Sequence, residues 1–373
     1  GVDTITAVSN GSQIMHMMTV IIVGLAMGTT VTIGHSVGAK CMEQAEKIIG
    51  NTITLFMGIA VAFTVILVVL VKPIVVLIAT PQEAVAGTSI YLLICFIGIP
   101  FITAYNIISS IFRGLGDSKS PMYFIGIACV MNIALDYLFM GAFHMGAAGA
   151  ALGTVCAQTF SVLVALWVIR RRKTGISLKK SDFKIERAVI GQVLKIGIPV
   201  ALQDGFIQVA FMIITVIANS RGVSDAAAVG VVEKVISALF IVPSSMLATV
   251  SALSAQNFGA GKEKRATDTL RYATVITTIY GVIVAVLIQF IAENVVGIFT
   301  SDTTVVTMGS AYIRSYIWDC IFAGIHFSFS GYFAACGKSY IGFLHNIISI
   351  TFVRVPGSYL ASKYFTDTLY PMG

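Results

Sequence analysis

Residues 131–140 read MNIALDYLFM and residues 149–154 read GAALGT, and together they place an aspartate, Asp136, inside an apolar stretch long enough to cross a membrane. A charged side chain at mid-bilayer costs about 2.5–3.5 kcal/mol on insertion scales, so such a residue is usually kept for function. Asn132 lies four residues earlier, on the same helix face. The pair predicts a site for a small cation or a proton. The alternative is a hydrogen bond that pins two helices together.

The composition of the chain indicates a polytopic membrane protein. Of its 373 residues, 57% are hydrophobic and 11% are charged, whereas soluble domains carry about 25% charged residues. The basic residues stand in short connections between apolar runs, which argues against nucleic acid as a partner. The six cysteines show no metal-ligand spacing and are interpreted as reduced and structural.

Ten apolar runs have spanning length, which is about 20 residues. They cover residues 8–34, 49–71, 88–112, 122–143, 146–169, 190–218, 226–255, 270–292, 306–333 and 340–362. The sequence therefore predicts an all-α polytopic membrane protein.

The distribution of lysine and arginine predicts the orientation. The connections 35–47, 113–120, 170–195, 262–271 and residue 338 hold eighteen of the twenty-four basic residues. The alternate connections hold essentially Lys72 and Arg221. Because basic loops favour the cytoplasm, we expect His35, Lys119, Lys173 and Lys262 to be cytoplasmic and Lys72 and Arg221 to be external.

An internal repeat appears when the chain is shifted by 221 residues without gaps. Gly38 then meets Gly259, and Gly116 meets Gly337, in constant register. Transporters are commonly built from such repeats. We predict an N-terminal transmembrane lobe (1–170), a cytoplasmic linker (171–188) and a C-terminal lobe (189–373). The register also predicts one further helix before residue 1 and another beginning near residue 367, giving two pseudo-symmetric lobes of six helices.

The C-terminal half has intramembrane polar residues of its own, although the shift places Val353 and Gly357 at the positions of Asn132 and Asp136. Its candidates for lining a substrate cavity are Gln203, Asp204, Glu233 and Asp319. For Glu233 and its neighbour Lys234, an ion pair with other helices is an equally good interpretation, and Arg314 and Arg354 are possible partners.

Several motifs together resemble the multidrug and toxic compound extrusion (MATE) transporters. They are the loops at 38–40 and 256–262, the run FRGLGDSKSP at 112–121, Asn132 with Asp136, and the run at 149–154. The resemblance covers the whole chain, as helices 2–6 and 7–11 of the family pattern. It implies two lobes around a central cavity and drug export driven by cation entry. It also implies that Asn132, Asp136 and Thr154 hold H⁺ or Na⁺.

The resemblance thus implies a cation-coupled antiporter in the cell membrane that exports organic, often cationic, compounds. We expect a monomer in the lipid bilayer that works on small molecules, with no cofactor and no metal beyond possible Na⁺ at Asp136. A flippase for lipid-linked oligosaccharides is the alternative, but it favours a cavity rich in arginine and lysine. An intramembrane enzyme is disfavoured because the five histidines form no metal motif. A receptor or scaffold does not explain the Asn132/Asp136 pair.

Overall fold

The computed structural model describes residues 2–78, 80–171, 176–365 and 368–373, and these form helices with no β-strand among them. The α-helices are α1 (Val2–Gly38), α2 (Met42–Val69), α3 (Val71–Leu77), α4 (Gln82–Ile97), α5 (Ile99–Gly114), α6 (Lys119–Asp136), α7 (Gly146–Arg171), α8 (Arg187–Arg221), α9 (Val223–Leu239), α10 (Ile241–Gly259), α11 (Glu263–Gly297), α12 (Thr303–Tyr316), α13 (Asp319–Ala335), α14 (Tyr340–Ser349) and α15 (Val355–Tyr364). Two π-helical segments, Tyr137–Ala142 and Ile350–Arg354, follow α6 and α14, and two 3₁₀ turns cover Lys180–Phe183 and Tyr370–Met372.

The ten predicted apolar runs are helical over nearly all their length. Short breaks interrupt four of them, at Leu70, Gly98, Phe240 and Ile317–Trp318. Among the described residues, seven helical stretches are long and apolar enough to cross a membrane. The pair α4 and α5, bent by 49° at Gly98, is an eighth candidate. The expected all-α membrane fold is confirmed.

The helix boundaries follow the 221-residue repeat. Shifted by 221 residues, the bounds of α1 become those of α9 and α10 together, and the start of α2 becomes the start of α11. The turns repeat as well, because Gly116 (φ 92°) and Gly337 (φ 73°) are both left-handed. Lys40 (φ 59°) matches Gly261 (φ 68°) in the same way. A glycine reaches this conformation without strain, so the matched pair Gly116 and Gly337 marks a turn geometry that both repeats share.

The contacts divide the chain into unit 1, residues 1–201, and unit 2, residues 202–373. This division does not test the predicted lobes, 1–170 and 189–373, or the predicted linker, 171–188. They remain a prediction. Arg172 and Lys173, which the sequence places in the cytoplasmic linker, lie outside the described residues.

Unit 1 is held together by small residues that let helix backbones approach closely, as is usual in membranes. A Cβ built on Gly24 would lie 2.8 Å from the backbone nitrogen of Ala201, and one on Gly28 would overlap the carbonyl oxygen of Val193. The start of α8 therefore packs directly on α1. Within unit 2, α13 packs against α10 and α11, and α12 packs against α9.

Candidate functional site

Asp136 is the last residue of α6 and is followed at once by the π-helical segment 137–142. The side-chain nitrogen Nδ2 of Asn132 donates to Asp136 Oδ1 over 3.4 Å. This hydrogen bond is long, since N–H···O bonds are typically about 2.9–3.0 Å. Both side chains are half-buried. Among the described residues it is the one hydrogen bond of Asp136, so most of the acceptor capacity of a carboxylate stays unused.

A glycine on α7 makes room for this carboxylate. A Cβ on Gly153 would overlap Asp136 Oδ1 and lie 3.5 Å from Asn132 Nδ2. The small-residue run at 149–154 therefore has a physical role: it lets the polar pair of α6 lie directly against the backbone of α7.

Thr154 is the next residue, but its hydroxyl points elsewhere. Its Oγ1 donates to the carbonyl oxygen of Ala150 over 3.1 Å, and it makes no hydrogen bond to Asn132 or Asp136. The structure thus brings two of the three predicted cation ligands together. The assignment of all three stays a prediction.

Thr154 instead lines an open cavity within unit 1, whose volume is about 630 Å³. Pockets for drug-sized molecules usually measure about 300–1,000 Å³. The lining residues are Ser9, Ser12, Gln13, Met15, His16, Thr19, Tyr91 and Thr154. Seven of these eight side chains carry a polar group, in an otherwise apolar lobe.

The polar side of this cavity comes mainly from α1, and the sequence analysis missed it. The residues at positions 9, 12, 13, 16 and 19 recur every three or four residues, which places them on one helix face. This spacing is the signal in the sequence that could have found them. From α4, Tyr91 lies against Gly11 of α1, where a Cβ would overlap its ring. Thr154 of the cavity lining directly follows Gly153, which lies against the Asp136 carboxylate, so the cavity and the carboxylate are neighbours.

In unit 2, Gln203 and Asp204 stand side by side on α8 but have different surroundings. Gln203 is buried, and its Nε2 lies 3.5 Å from Nε2 of His326, which Asn346 Nδ2 approaches to 3.4 Å. Asp204 is half-buried and has no hydrogen bond or ion pair with any residue that the structure describes.

The other two candidates of unit 2, Glu233 and Asp319, both lie within electrostatic range of Arg354. Asp319 Oδ2 pairs with Arg354 Nη1 at 3.5 Å, and the guanidinium lies 5.1 Å from the ring centre of Phe211. It also donates a short hydrogen bond to the hydroxyl of Tyr316 and stacks on that ring. Arg354 therefore has three partners: Asp319, Tyr316 and Phe211.

Glu233 accepts a hydrogen bond from Thr215 at 3.2 Å and is within electrostatic range of Arg354. Of the two arginines considered as its partners, Arg354 is thus the neighbour. Arg314 pairs with Glu293 at 3.4 Å. Lys234 is exposed. Within the described ranges, no group of three or more His, Cys, Asp or Glu side chains could hold a metal ion.

The family model MatE matches residues 1–138 and 199–360 of this chain. The chain belongs to the MatE family. Asn132 and Asp136 both lie within the matched residues. The match and the apolar helices together identify this MatE protein as a multi-span membrane protein of a transporter family.

Relatives of this chain carry drug-export names. Probable multidrug resistance protein YpnP of Bacillus subtilis is 29% identical over 365 residues, which cover 98% of this chain and 81% of YpnP. Multidrug export protein MepA of Staphylococcus aureus is 24% identical over 317 residues, covering 84% of this chain and 69% of MepA.

Solved MATE structures share the fold. A structure described as the outward-facing conformation of a multidrug resistance MATE family transporter superposes with a TM-score of 0.94. It is 20% identical in sequence, and the superposition covers 100% of this chain and 83% of that one. At this identity the likeness establishes the fold, two pseudo-symmetric MATE-like lobes, and no more.

Proposed function

We propose that this MatE protein is an antiporter that exports organic, often cationic, compounds across the cell membrane in exchange for H⁺ or Na⁺. The observation that carries the proposal is the pair Asn132 and Asp136 beside the polar cavity of unit 1. Asp136 supplies a carboxylate with one long hydrogen bond, next to a cavity of drug-sized volume. The names of YpnP and MepA support the choice of drug-like substrates.

The coupling follows from the charge of Asp136. While the carboxylate is charged, it attracts a cationic compound to the neighbouring cavity. When Asp136 takes up a proton, or holds Na⁺ together with Asn132, its negative charge is neutralised and that attraction falls. Oxygen ligands of this kind suit a hard cation. Because coupling between two bound ligands is reciprocal, the exported compound in turn lowers the affinity of the site for the coupling ion.

The flippase alternative has less support. The described lining of the unit 1 cavity contains no lysine or arginine, whereas a pyrophosphate headgroup calls for such residues. For orientation we propose that the basic connections face the cytoplasm. The exposed Cys41, in the first of these connections, should then resist a membrane-impermeant maleimide added outside, while a cysteine replacing Lys72 should react.

The test of function is dye efflux from proteoliposomes under an imposed proton gradient, an imposed sodium gradient, or neither. We expect one of the two gradients to accelerate export of organic cations, and its collapse by an ionophore to stop it. Equal export in all three conditions would contradict an antiport mechanism.

A further inference from the structure

The chain segment before α8, residues 176–186, is bound along its length to α2, and we call it the strap. Ser177 N donates to Glu46 Oε1 and Glu186 N donates to Asn51 Oδ1, both over 2.6 Å. The amide of Asn51 also donates to the carbonyl oxygen of Asp182 over 3.1 Å. Side chains of a membrane helix thus hold the backbone of the strap at both ends and in the middle.

These contacts are buried, so the strap has a fixed conformation. Glu46 and Asn51 are both buried, as is Asp182, whose Oδ2 accepts from Lys179 N over 2.7 Å. A Cβ on Gly50 would overlap the carbonyl oxygen of Asp182. The close approach of the strap to α2 therefore depends on glycine at position 50.

The outward side of the strap is both basic and apolar. The exposed basic side chains are Lys179, Lys180 and Lys184, and the exposed apolar ones are Leu178, Phe183 and Ile185, of which Ile185 is 58% exposed. The carboxylate of Asp182 points inward, and Glu186 stands at the far end. Within the strap the lysines therefore have no acidic neighbour on their own surface other than Glu186.

The strap lies at a membrane boundary, because it connects two candidate spans, α7 and α8. Trp167 is 58% exposed near the end of α7, and Arg171 lies over its ring at 5.4 Å from the ring centre. Exposed tryptophans of membrane helices favour the level of the lipid headgroups. Arg187 begins α8 at the other end of the strap.

We propose that the strap is a binding surface for anionic lipid headgroups. Lys179, Lys180 and Lys184 supply the positive charge, and Phe183 and Ile185 supply apolar contacts at the boundary between headgroups and acyl chains. Clusters of basic residues beside membrane helices bind anionic lipids in this way. Because contacts with α2 already hold the backbone of the strap in place, lipid binding does not carry the entropic cost of ordering a loop. The proposal does not depend on export.

The test measures retention of phosphatidylglycerol by the full chain, using native mass spectrometry from mixed micelles of phosphatidylglycerol and phosphatidylcholine. We expect wild type to retain phosphatidylglycerol in preference to phosphatidylcholine. The triple variant Lys179→Gln/Lys180→Gln/Lys184→Gln should bind it more weakly by roughly a hundredfold, since each basic residue near an anionic surface contributes about fivefold and the three factors multiply. Molar salt should remove the preference, because it shortens the screening length to about 3 Å.

The matched control is Lys262→Gln/Lys264→Gln/Arg265→Gln, which removes the same charge from another exposed basic connection. It should retain phosphatidylglycerol like wild type. Gly50→Ala keeps every charge but displaces the strap, and we expect it to weaken retention while a thermal melt shows a folded protein. Equal loss in both triple variants, or no preference for phosphatidylglycerol in wild type, would overturn the proposal.

Discussion

The helix α6 in unit 1 and the stretch from α14 to α15 in unit 2 occupy the same place in the 221-residue repeat but carry opposite charges. Unit 1 has Asp136, with one long hydrogen bond from Asn132. Unit 2 has Arg354, held by Asp319 and Tyr316 and stacked against Phe211. A carboxylate with few partners can exchange a cation, whereas a cation with many partners is fixed. Under the proposed mechanism, this contrast favours a coupling role for Asp136 and a stabilising role for Arg354.

The strongest test of this contrast is Asp136→Asn. The substitution keeps the shape and a hydrogen-bonding group but removes the exchangeable charge, so we expect gradient-driven export to fall to background in proteoliposomes. The control is Asp3→Asn, the same chemical change at an exposed position of unit 1. Wild-type export by Asp136→Asn under both proton and sodium gradients would make Asp136 structural and move the search to Asp204, Glu233 and Asp319.

Arg354→Gln tests the other side of the contrast. It leaves Asp319 without its ion pair, and breaking a charged contact of this kind costs about 2 kcal/mol, roughly thirtyfold in the unfolding equilibrium. The measurement is denaturant-induced unfolding in detergent, with the exposed neighbour Lys234→Gln as control. Adding Asp319→Asn to Arg354→Gln should restore part of the stability. Unchanged stability of Arg354→Gln would show that the cluster is not structural.

Gly153→Ala sharpens the comparison without changing any charge. The new methyl group would overlap Asp136 Oδ1, so the carboxylate must move away from α7. Overpacking of this type costs about 1–3 kcal/mol, and we expect the rate of coupled export to fall about tenfold. Gly126→Ala on α6 is the control, because a Cβ there meets nothing within 4 Å. If both variants export alike, the position of the carboxylate against α7 does not matter.

Asn132→Ala should have the smallest effect. It removes one hydrogen bond and one neutral ligand but no charge, and a hydrogen bond contributes about 0.5–1.5 kcal/mol. We expect a reduction of about threefold in coupled export and a higher concentration of the coupling ion at half-maximal rate. A loss as complete as that of Asp136→Asn would mean that Asn132 is as essential as the carboxylate.

Much of the fold could be predicted because a membrane permits few backbone solutions. Apolar runs of spanning length must be helices, since a lipid-exposed backbone has no other way to satisfy its polar groups. The glycine pairs 38/259 and 116/337 revealed the repeat, because the first pair ends matching helices and the second forms matching left-handed turns. The break at Phe240 was not predicted, although the sequence holds a signal for it. Pro243 has no N–H to donate to the carbonyl oxygen of Leu239, and the hydroxyl of Tyr280 donates to that oxygen instead.

The geometry of the candidate site was predictable where its residues stand close in sequence. Asn132 and Asp136 are four residues apart, and helix geometry alone brings them together. The cavity required knowing which face of α1 is open, and that depends on contacts with α4 and α7 that are distant in sequence. The partners of Arg354 come from three other helices, α8, α12 and α13, so only the folded chain shows them.

The π-helical segments have a consequence for aligning the two repeats. A π turn accommodates one residue more than an α turn, so it acts as a single-residue insertion inside a helix. In unit 1 the insertion follows Asp136, while in unit 2 it precedes Gly357. An ungapped alignment therefore pairs Asp136 with Gly357 by number, although only position 357 is preceded by an extra residue within its helix. A structural alignment of the repeats needs one gap in unit 1 opposite the extra residue before Gly357. It needs a compensating gap in unit 2 opposite the extra residue after Asp136. Both gaps fall within helices, where alignments usually place none.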